Sequence, residues 1–172
     1  MTARTDADLV HAARAGDVES FELLYARYSP VVHAILLGRL AAEDADDVLQ
    51  NVFMTAYTKL DALREAAAFA GWIARTARNA AEDFRRSRSD TLQLDADYAT
   101  RSRQGEAAEA ARALATIRGL PDAYRETLML RLVEGMSGPE IAARTGLTHG
   151  SVRVNLHRGM QLLRDALGGG VR

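Results

Sequence analysis

Residues 135–167 read GMSGPEIAARTGLTHGSVRVNLHRGMQLLRDAL, and this stretch decides the architecture of the C-terminal part of the chain. Ser137 or Gly138 starts a short predicted helix. Pro139 then occupies a first-turn position, where its missing N–H costs little. Gly146 is expected to end this helix in a tight turn.

The longer helix that follows completes the motif. Thr148 is a good N-cap residue, and the helix it caps is predicted to run to about Leu167, with Leu147 packed beneath the turn. A short helix, a glycine turn and a capped longer helix are the spacing of a helix-turn-helix. We therefore predict a helix-turn-helix at this end of the chain.

Helical projection separates two faces on the longer helix. One side is apolar and is predicted to face the core: Val152, Leu156, Leu163 and Leu167. The other side carries Arg153 and Arg158, which can reach either base edges or phosphates if the helix enters a major groove. A plain pair of antiparallel helices with a few exposed arginines stays open as the simpler reading.

Helical periodicity extends over most of the remaining sequence, so the predicted fold class is all-α. Residues 87–108 lose that period and gather Ser, Asp, Arg, Thr and Gly, too many residues for a loop inside one compact domain. We therefore predict two small helical domains, residues 1–88 and 109–172, joined by a flexible linker at 89–108.

Charge is distributed unevenly between these parts, although the whole chain has a net charge of only −1. Residues 1–88 hold 11 basic and 13 acidic side chains, whereas residues 109–172 hold nine basic and six acidic ones. The near-neutral total argues against a protein that holds nucleic acid by bulk electrostatics alone.

Three helices are predicted in the N-terminal part before residue 69. Asp6 or Asp8 is expected to cap the first. Apolar residues at 3–4 spacing predict the buried face of the second: Val18, Phe21, Leu24, Tyr25 and Tyr28. The third begins near Glu43, and its apolar stripe is Val48, Leu49, Val52, Phe53, Ala56, Tyr57 and Leu60.

A fourth helix is predicted from Phe69 to about Arg88. Its apolar residues, which include Trp72, fall on one side, and a basic face lies opposite: Arg75, Arg78, Arg85 and Arg86, with Asn79 at the margin. A solvated helix surface or an oligomer interface would give the same pattern, so both stay open here. Supporting helices are expected upstream of Ser137, the second of them capped by Asp122.

Several classes of function are excluded by what the sequence lacks. The chain contains no cysteine, which removes disulfides, thiolate metal sites and cysteine nucleophiles. Its four histidines lack metal-ligand spacing, and there is no phosphate-binding glycine loop or serine nucleophile elbow. No apolar run reaches the roughly 18–20 residues of a membrane span. We expect no enzyme, cofactor, metal, small-molecule substrate or membrane contact, and a cytoplasmic location.

Four blocks in order resemble the extracytoplasmic-function (ECF) group of bacterial sigma factors. The match begins with Asp8-Leu9, Gly16-Asp17, Phe21 and Tyr25 and covers nearly the whole chain. EDADDVLQNVFMTAY (43–57) resembles the segment that docks on core RNA polymerase, and FAGWIARTARNAAEDFRR (69–86) resembles the promoter-melting helix. Residues 120–167 resemble the domain that reads the −35 element.

The resemblance implies a role for particular residues. Those facing the coiled coil of the polymerase's largest subunit would be Asp46, Asp47, Gln50, Asn51 and Met54. The protein would also contact the polymerase flap. Those at the −10 region would be Arg64, Trp72, Arg75, Arg78, Asn79, Arg85 and Arg86. Those at the −35 element would be His149, Ser151, Arg153, Val154, Asn155, His157 and Arg158. The implied partners are core RNA polymerase, promoter DNA and an anti-sigma factor.

An alternative from another class is a stand-alone helix-turn-helix regulator with an N-terminal sensing domain. It accounts for residues 109–172 equally well. It leaves the polar face of residues 43–60 and the arginine face of residues 69–88 without a role.

Overall fold

The protein is built almost entirely from α-helices, as the sequence predicts. The computed structural model describes residues 4–92 and 106–168, and over these ranges it contains eight α-helices, two short 3-10 turns and no strand. The helices are α1 (Asp6–Arg14), α2 (Val18–Leu37), α3 (Ala42–Thr58), α4 (Phe69–Leu92), α5 (Glu106–Arg118), α6 (Asp122–Leu132), α7 (Gly138–Thr145) and α8 (His149–Gly168).

The N-terminal caps differ in part from those predicted. Thr5 caps α1, because its hydroxyl accepts the Asp8 N–H while the Asp8 carboxylate accepts the Thr5 N–H at 3.0 Å. Asp8 is thus the second half of a capping box, and neither Asp6 nor Asp8 is the cap. Asp17 caps α2, and this helix continues past Pro30.

Helix α2 is the centre of the N-terminal domain. Helices α1, α3 and α4 all pack against it, and Leu24 and Tyr28 are buried where they meet. Helix α4 continues to Leu92, beyond the predicted end at Arg88. The polar composition of residues 87–92 does not prevent helix, since that segment needs no apolar stripe where it leaves the core. The predicted linker residues 93–105 lie outside the described residues.

The C-terminal domain packs α6 against α8, with α5 and α7 flanking them. Leu128, Met129 and Leu130 of α6 are fully buried. Gly159 of α8 makes this approach possible, because a Cβ there would lie 3.1 Å from the Leu128 side chain and 3.3 Å from Tyr124 Cβ.

The two domains are in contact through α2 and α4 on one side and α6 and α7 on the other. Asp122 takes part in this contact rather than capping α6, because Pro121 occupies the cap position. The Asp122 carboxylate instead accepts hydrogen bonds from Arg39 and Arg125. None of the described helices is both long enough and apolar enough to span a bilayer.

The close approach at Gly159 gives a testable prediction. We expect Gly159→Ala to destabilise the C-terminal domain by about 1–3 kcal/mol, because the added methyl group overpacks the α6–α8 contact. Gly150→Ala on the same helix is the matched control, since its Cβ would have only an ordinary 3.8 Å neighbour. Urea unfolding of both variants measures the difference; an equal free energy of unfolding for both would contradict the assigned contact.

Candidate nucleic-acid interface

The turn between α7 and α8 has the chemistry that the sequence predicts. The Ser137 side chain caps α7. In return, the Glu140 carboxylate accepts a hydrogen bond from the Ser137 N–H at 2.7 Å. Gly146 adopts a left-handed backbone with φ of +74°, which a residue with a side chain adopts only with strain. The Thr148 hydroxyl accepts the Ser151 N–H at 3.1 Å and so caps α8. These bonds fix the angle at which α8 leaves the turn.

Helix α8 turns one face to the core and another to solvent. Val152, Gly159 and Leu163 are buried. The residues implicated in −35 binding are exposed with one exception: His149, Ser151, Arg153, Val154, His157 and Arg158. Leu147 does not pack beneath the turn as predicted but is 39% exposed, whereas Ile141 and Val152 are buried.

Asn155 is the exception among these residues. It is half-buried and lines a cavity of about 440 Å³ between the two domains, together with Arg78, Glu126 and Leu147. The domain contact therefore covers part of the α8 face that would approach DNA.

The basic face of α4 is on the surface. Arg75, Arg78, Asn79, Arg85 and Arg86 are all exposed. Ile73 and Ala77 on the opposite side are fully buried, so the core fixes the rotation of the helix and hence the direction in which its arginines point.

Three of the residues implicated at the −10 region meet around a shallow depression. Arg64, Trp72 and Arg75 line a recess of about 260 Å³ at the start of α4, and Glu65 also lines it. Arg14 of α1 fixes its rim, since its guanidinium donates to the backbone carbonyls of Leu60 and Leu63. The recess thus combines an aromatic ring with two cations, the set of groups that binds an unstacked base beside its phosphate.

A carboxylate from the other domain engages this basic face. Arg78 donates two hydrogen bonds to Glu126 of α6, at 2.9 and 2.8 Å, and Arg39 donates another at 2.8 Å. Burial opposes ionisation of Glu126, but its hydrogen bonds to the two arginines outweigh burial and hold its pKa below the usual value. The same bonds raise the pKa of Arg78. One arginine of the basic face of α4 is therefore neutralised within the molecule.

A second contact between the domains involves His33 of α2. Its Nδ1 lies within hydrogen-bond distance of the Glu134 carboxylate, and its Nε2 is 3.8 Å from the Asp46 carboxylate. The hydrogen bond to Glu134 raises the His33 pKa against the opposing effect of burial. Nothing in the sequence marked His33, Glu126 or Glu134, because their partners in the other domain lie 48 or more positions away.

The outward face of α3 carries the residues implicated in polymerase binding. Asp46, Asp47, Gln50, Asn51 and Met54 are all exposed, with Met54 at 68%. Tyr25 and Val18 of α2, which the sequence pattern assigned to the core, are exposed as well, as is Tyr57 of α3. They sit at the edge of the apolar stripe, so helical spacing alone groups them with buried neighbours.

Groups able to bind a metal are not found at these surfaces. Across residues 4–92 and 106–168, no three His, Asp or Glu side chains come close enough together to hold an ion.

Comparison with known proteins assigns both halves of the chain. A family model described as sigma-70 region 2 matches residues 24–91, and one described as sigma-70, region 4 matches residues 110–163. The ECF RNA polymerase sigma-E factor of Escherichia coli K12 is 31% identical over 92% of each chain. That of Haemophilus influenzae is 29% identical over 95% of each.

Solved structures agree with these matches. CnrH, solved in complex with the cytosolic domain of CnrY, superposes with a TM-score of 0.61 at 28% identity over 95% of this chain and 97% of its own. The sigma factor RpoE of Bartonella quintana, solved with the anti-sigma factor NepR, shares the fold with a TM-score of 0.54 at 20% identity. It covers 87% of this chain and 98% of its own.

Structure and comparison point to one family. The helical domain around α2 and the helix-turn-helix of α7 and α8 have the fold of this family, and the family models and full-length relatives match its sequence. The chain belongs to the extracytoplasmic-function group of RNA polymerase sigma factors, the proteins that give the polymerase its promoter specificity.

Proposed function

We propose that the two domains divide promoter recognition between them. Residues 1–88 bind core polymerase and open the −10 region, residues 89–108 connect the domains, and residues 109–172 read the −35 element. The observation that carries this assignment is that α8 begins at a fixed turn and presents Arg153, His157 and Arg158 to solvent opposite a buried face. That is the arrangement with which a recognition helix enters a major groove.

Strand opening is assigned to the start of α4. A base flipped out of the −10 duplex stacks against Trp72 in the recess, while Arg64 and Arg75 bind the neighbouring phosphates. The remaining exposed arginines of α4 follow the backbone of the separated strand. What supports this is the joint placement of one aromatic ring and two cations around one depression.

Polymerase binding is assigned to the outward face of α3. Acidic and amide side chains at one end and Met54 at the other offer a mixed surface to a helical coiled coil. The exposed Tyr57 belongs to the same helix, and the exposed Tyr25 extends the surface onto α2. Neighbouring rings hold both, Phe53 for Tyr25 and Phe21 for Tyr57. Aromatic side chains held in place are the groups that dominate interface energetics.

Regulation by an anti-sigma factor fits the arrangement of the domains. When the domains are in contact, Glu126 binds Arg78 and the domain interface covers Asn155. Both of these proposed promoter contacts are then unavailable to DNA. An anti-sigma factor that binds both domains would favour this closed arrangement. Catalysis belongs to the polymerase, and the protein acts where the polymerase does, in the cytoplasm.

The function itself is tested by run-off transcription with purified core polymerase on a genomic promoter library. We expect promoter-specific transcripts only when the protein is present. A stand-alone regulator would neither associate with core polymerase nor change the start sites.

The role of α4 in strand opening is tested by combining Arg75→Ala with Arg78→Ala. We expect open-complex formation, measured by permanganate reactivity of −10 thymines, to fall about tenfold or more, because two charge-assisted contacts are lost. Affinity for core polymerase should not change. The matched control is Arg112→Ala on exposed α5; unimpaired opening in the double variant would assign the basic face to another use, such as self-association.

The contact between Glu126 and Arg78 gives a prediction about the free protein. We expect Glu126→Gln to loosen the domain contact, because both arginines lose their carboxylate partner, and to increase the radius of gyration measured by small-angle X-ray scattering. Glu109→Gln changes an exposed carboxylate on α5 of the same domain, outside the contact, and should leave the radius unchanged. Equal radii for the two variants would contradict a latching role for Glu126.

The contact between His33 and Glu134 makes the domain arrangement depend on pH. Because the His33 pKa is raised, its stabilising contribution is complete below the unfolded value of about 6.5 and is lost as pH rises through the raised value. We expect amide exchange in α6 to be faster at pH 8.5 than at pH 6, after correction for intrinsic exchange rates. Glu134→Gln should abolish that difference and His11→Gln, at an exposed site on α1, should preserve it; a difference that survives in Glu134→Gln would refute the link.

A further inference from the structure

A groove between the two domains collects four arginines. It has a volume of about 410 Å³ and is lined by Gly38, Arg39, Glu82, Arg85, Arg118, Asp122 and Arg125. We propose that this groove binds a small anion bearing a diphosphate group. This proposal goes beyond promoter recognition, since it concerns a soluble ligand held by both domains.

The positive charge of the groove exceeds the negative charge that surrounds it. Arg39, whose side chain is only 10% exposed, is bound by Glu126 and Asp122. Among the residues that the structure describes, the Glu82 carboxylate at 3.5 Å is the only partner of Arg85. Arg118 donates from Nε to the Leu37 carbonyl at 2.9 Å, and no described residue binds its terminal nitrogens. The excess charge therefore lies on Arg85 and Arg118.

Arg125 contributes a buried donor that lacks a partner. Its terminal nitrogens bind the Arg118 carbonyl and the Asp122 carboxylate, but its Nε is buried and, within the described residues, receives no acceptor. Its stem is held against Gly38, where a Cβ would lie 3.3 Å from Cγ. A buried N–H without an acceptor is costly and rare, which indicates that an acceptor is supplied from outside the chain.

The pKa shifts of two of these arginines agree with an anion bound in the groove. Burial lowers the pKa of Arg125, and the charges of Arg39 and Arg85 lower it further; burial also lowers the pKa of Arg118. An anion in the groove relieves both effects, because it replaces lost solvation and separates the cations.

Phosphoryl oxygens fit the groove better than a single halide or carboxylate. Guanidinium groups bind phosphate through paired parallel hydrogen bonds, and several of them here surround one space. The volume is within the range of about 300–1,000 Å³ typical of small-molecule sites. A diphosphate bound there would compete with the exposed Glu82 for Arg85.

The two domains share the site equally. Arg39 follows α2 and Arg85 lies on α4, whereas Arg118 ends α5 and Arg125 lies on α6. A ligand that needs all four binds only when the domains are in contact, and mass action then favours that arrangement. Bound ligand would also withdraw Arg85 from promoter DNA.

Titration calorimetry with pyrophosphate tests the proposal on the full chain, in magnesium-free buffer at fixed ionic strength. We expect saturable binding with one pyrophosphate per chain. Arg118→Gln and Arg85→Gln should each weaken binding about tenfold or more, because each removes a charge-assisted hydrogen bond. Arg112→Gln, an exposed arginine of α5 outside the groove, is the matched control and should bind like the unaltered protein.

Arg85→Gln shows whether weaker binding comes merely from a damaged fold. Arg85 is exposed and, within the described residues, donates to no backbone carbonyl, whereas Arg118 does. Circular dichroism of each variant checks that it is folded. The proposal is overturned if no saturable heat appears, if sulfate at the same ionic strength binds as tightly, or if Arg112→Gln weakens binding as much as Arg85→Gln does.

Discussion

The contact between the two domains depends on the ion pairs made by the carboxylate of Glu126. This carboxylate is largely buried, it belongs to the C-terminal domain, and it binds two arginines of the N-terminal domain, Arg39 and Arg78. A carboxylate in such a place is tolerated only while its cationic partners remain, since an unpaired buried charge is strongly destabilising. Arg78 is the more exposed of the two partners, and the proposed competition between Glu126 and promoter DNA centres on this residue.

The proposed competition would allow a protein of nearly neutral charge to bind nucleic acid selectively. Its arginines are numerous, but many of those at the domain contact are neutralised within the chain when the domains touch. The outward face of α8 keeps Arg153 and Arg158 exposed even then. Phosphate contacts supplied by the polymerase make tight binding by the free protein unnecessary, and the internal ion pairs make it less favourable.

Local chemistry could be predicted from the sequence, whereas contacts between distant residues could not. Gly146 and Thr148 were identified because a left-handed turn and a helix cap depend on a few neighbouring residues. The all-α fold and the sigma factor family followed from periodicity and from the order of four blocks, and both are confirmed. The residues assigned to polymerase and DNA remain predictions.

The errors have a common physical origin. Tyr25 and Val18 have helical spacing typical of a core, but periodicity reports only an angle around the helix, and residues at the edge of a stripe can be covered or exposed. Asp122 is a residue type that often caps helices, yet its carboxylate binds two arginines instead. Arg39 lies 83 positions earlier in the chain and Arg125 three positions later. Pairings of this kind depend on how domains meet, which no local pattern records.

The bond from Arg14 to the carbonyls of Leu60 and Leu63 has a consequence for the recess beside Trp72. A loop that becomes ordered only on contact with its target loses about 1–2 kcal/mol of conformational freedom per residue at that moment. Here the loop is already anchored to α1 when the chain folds. The recess is preorganised, so in the proposed strand opening the free energy gained from stacking a base would hold that base instead of ordering the backbone.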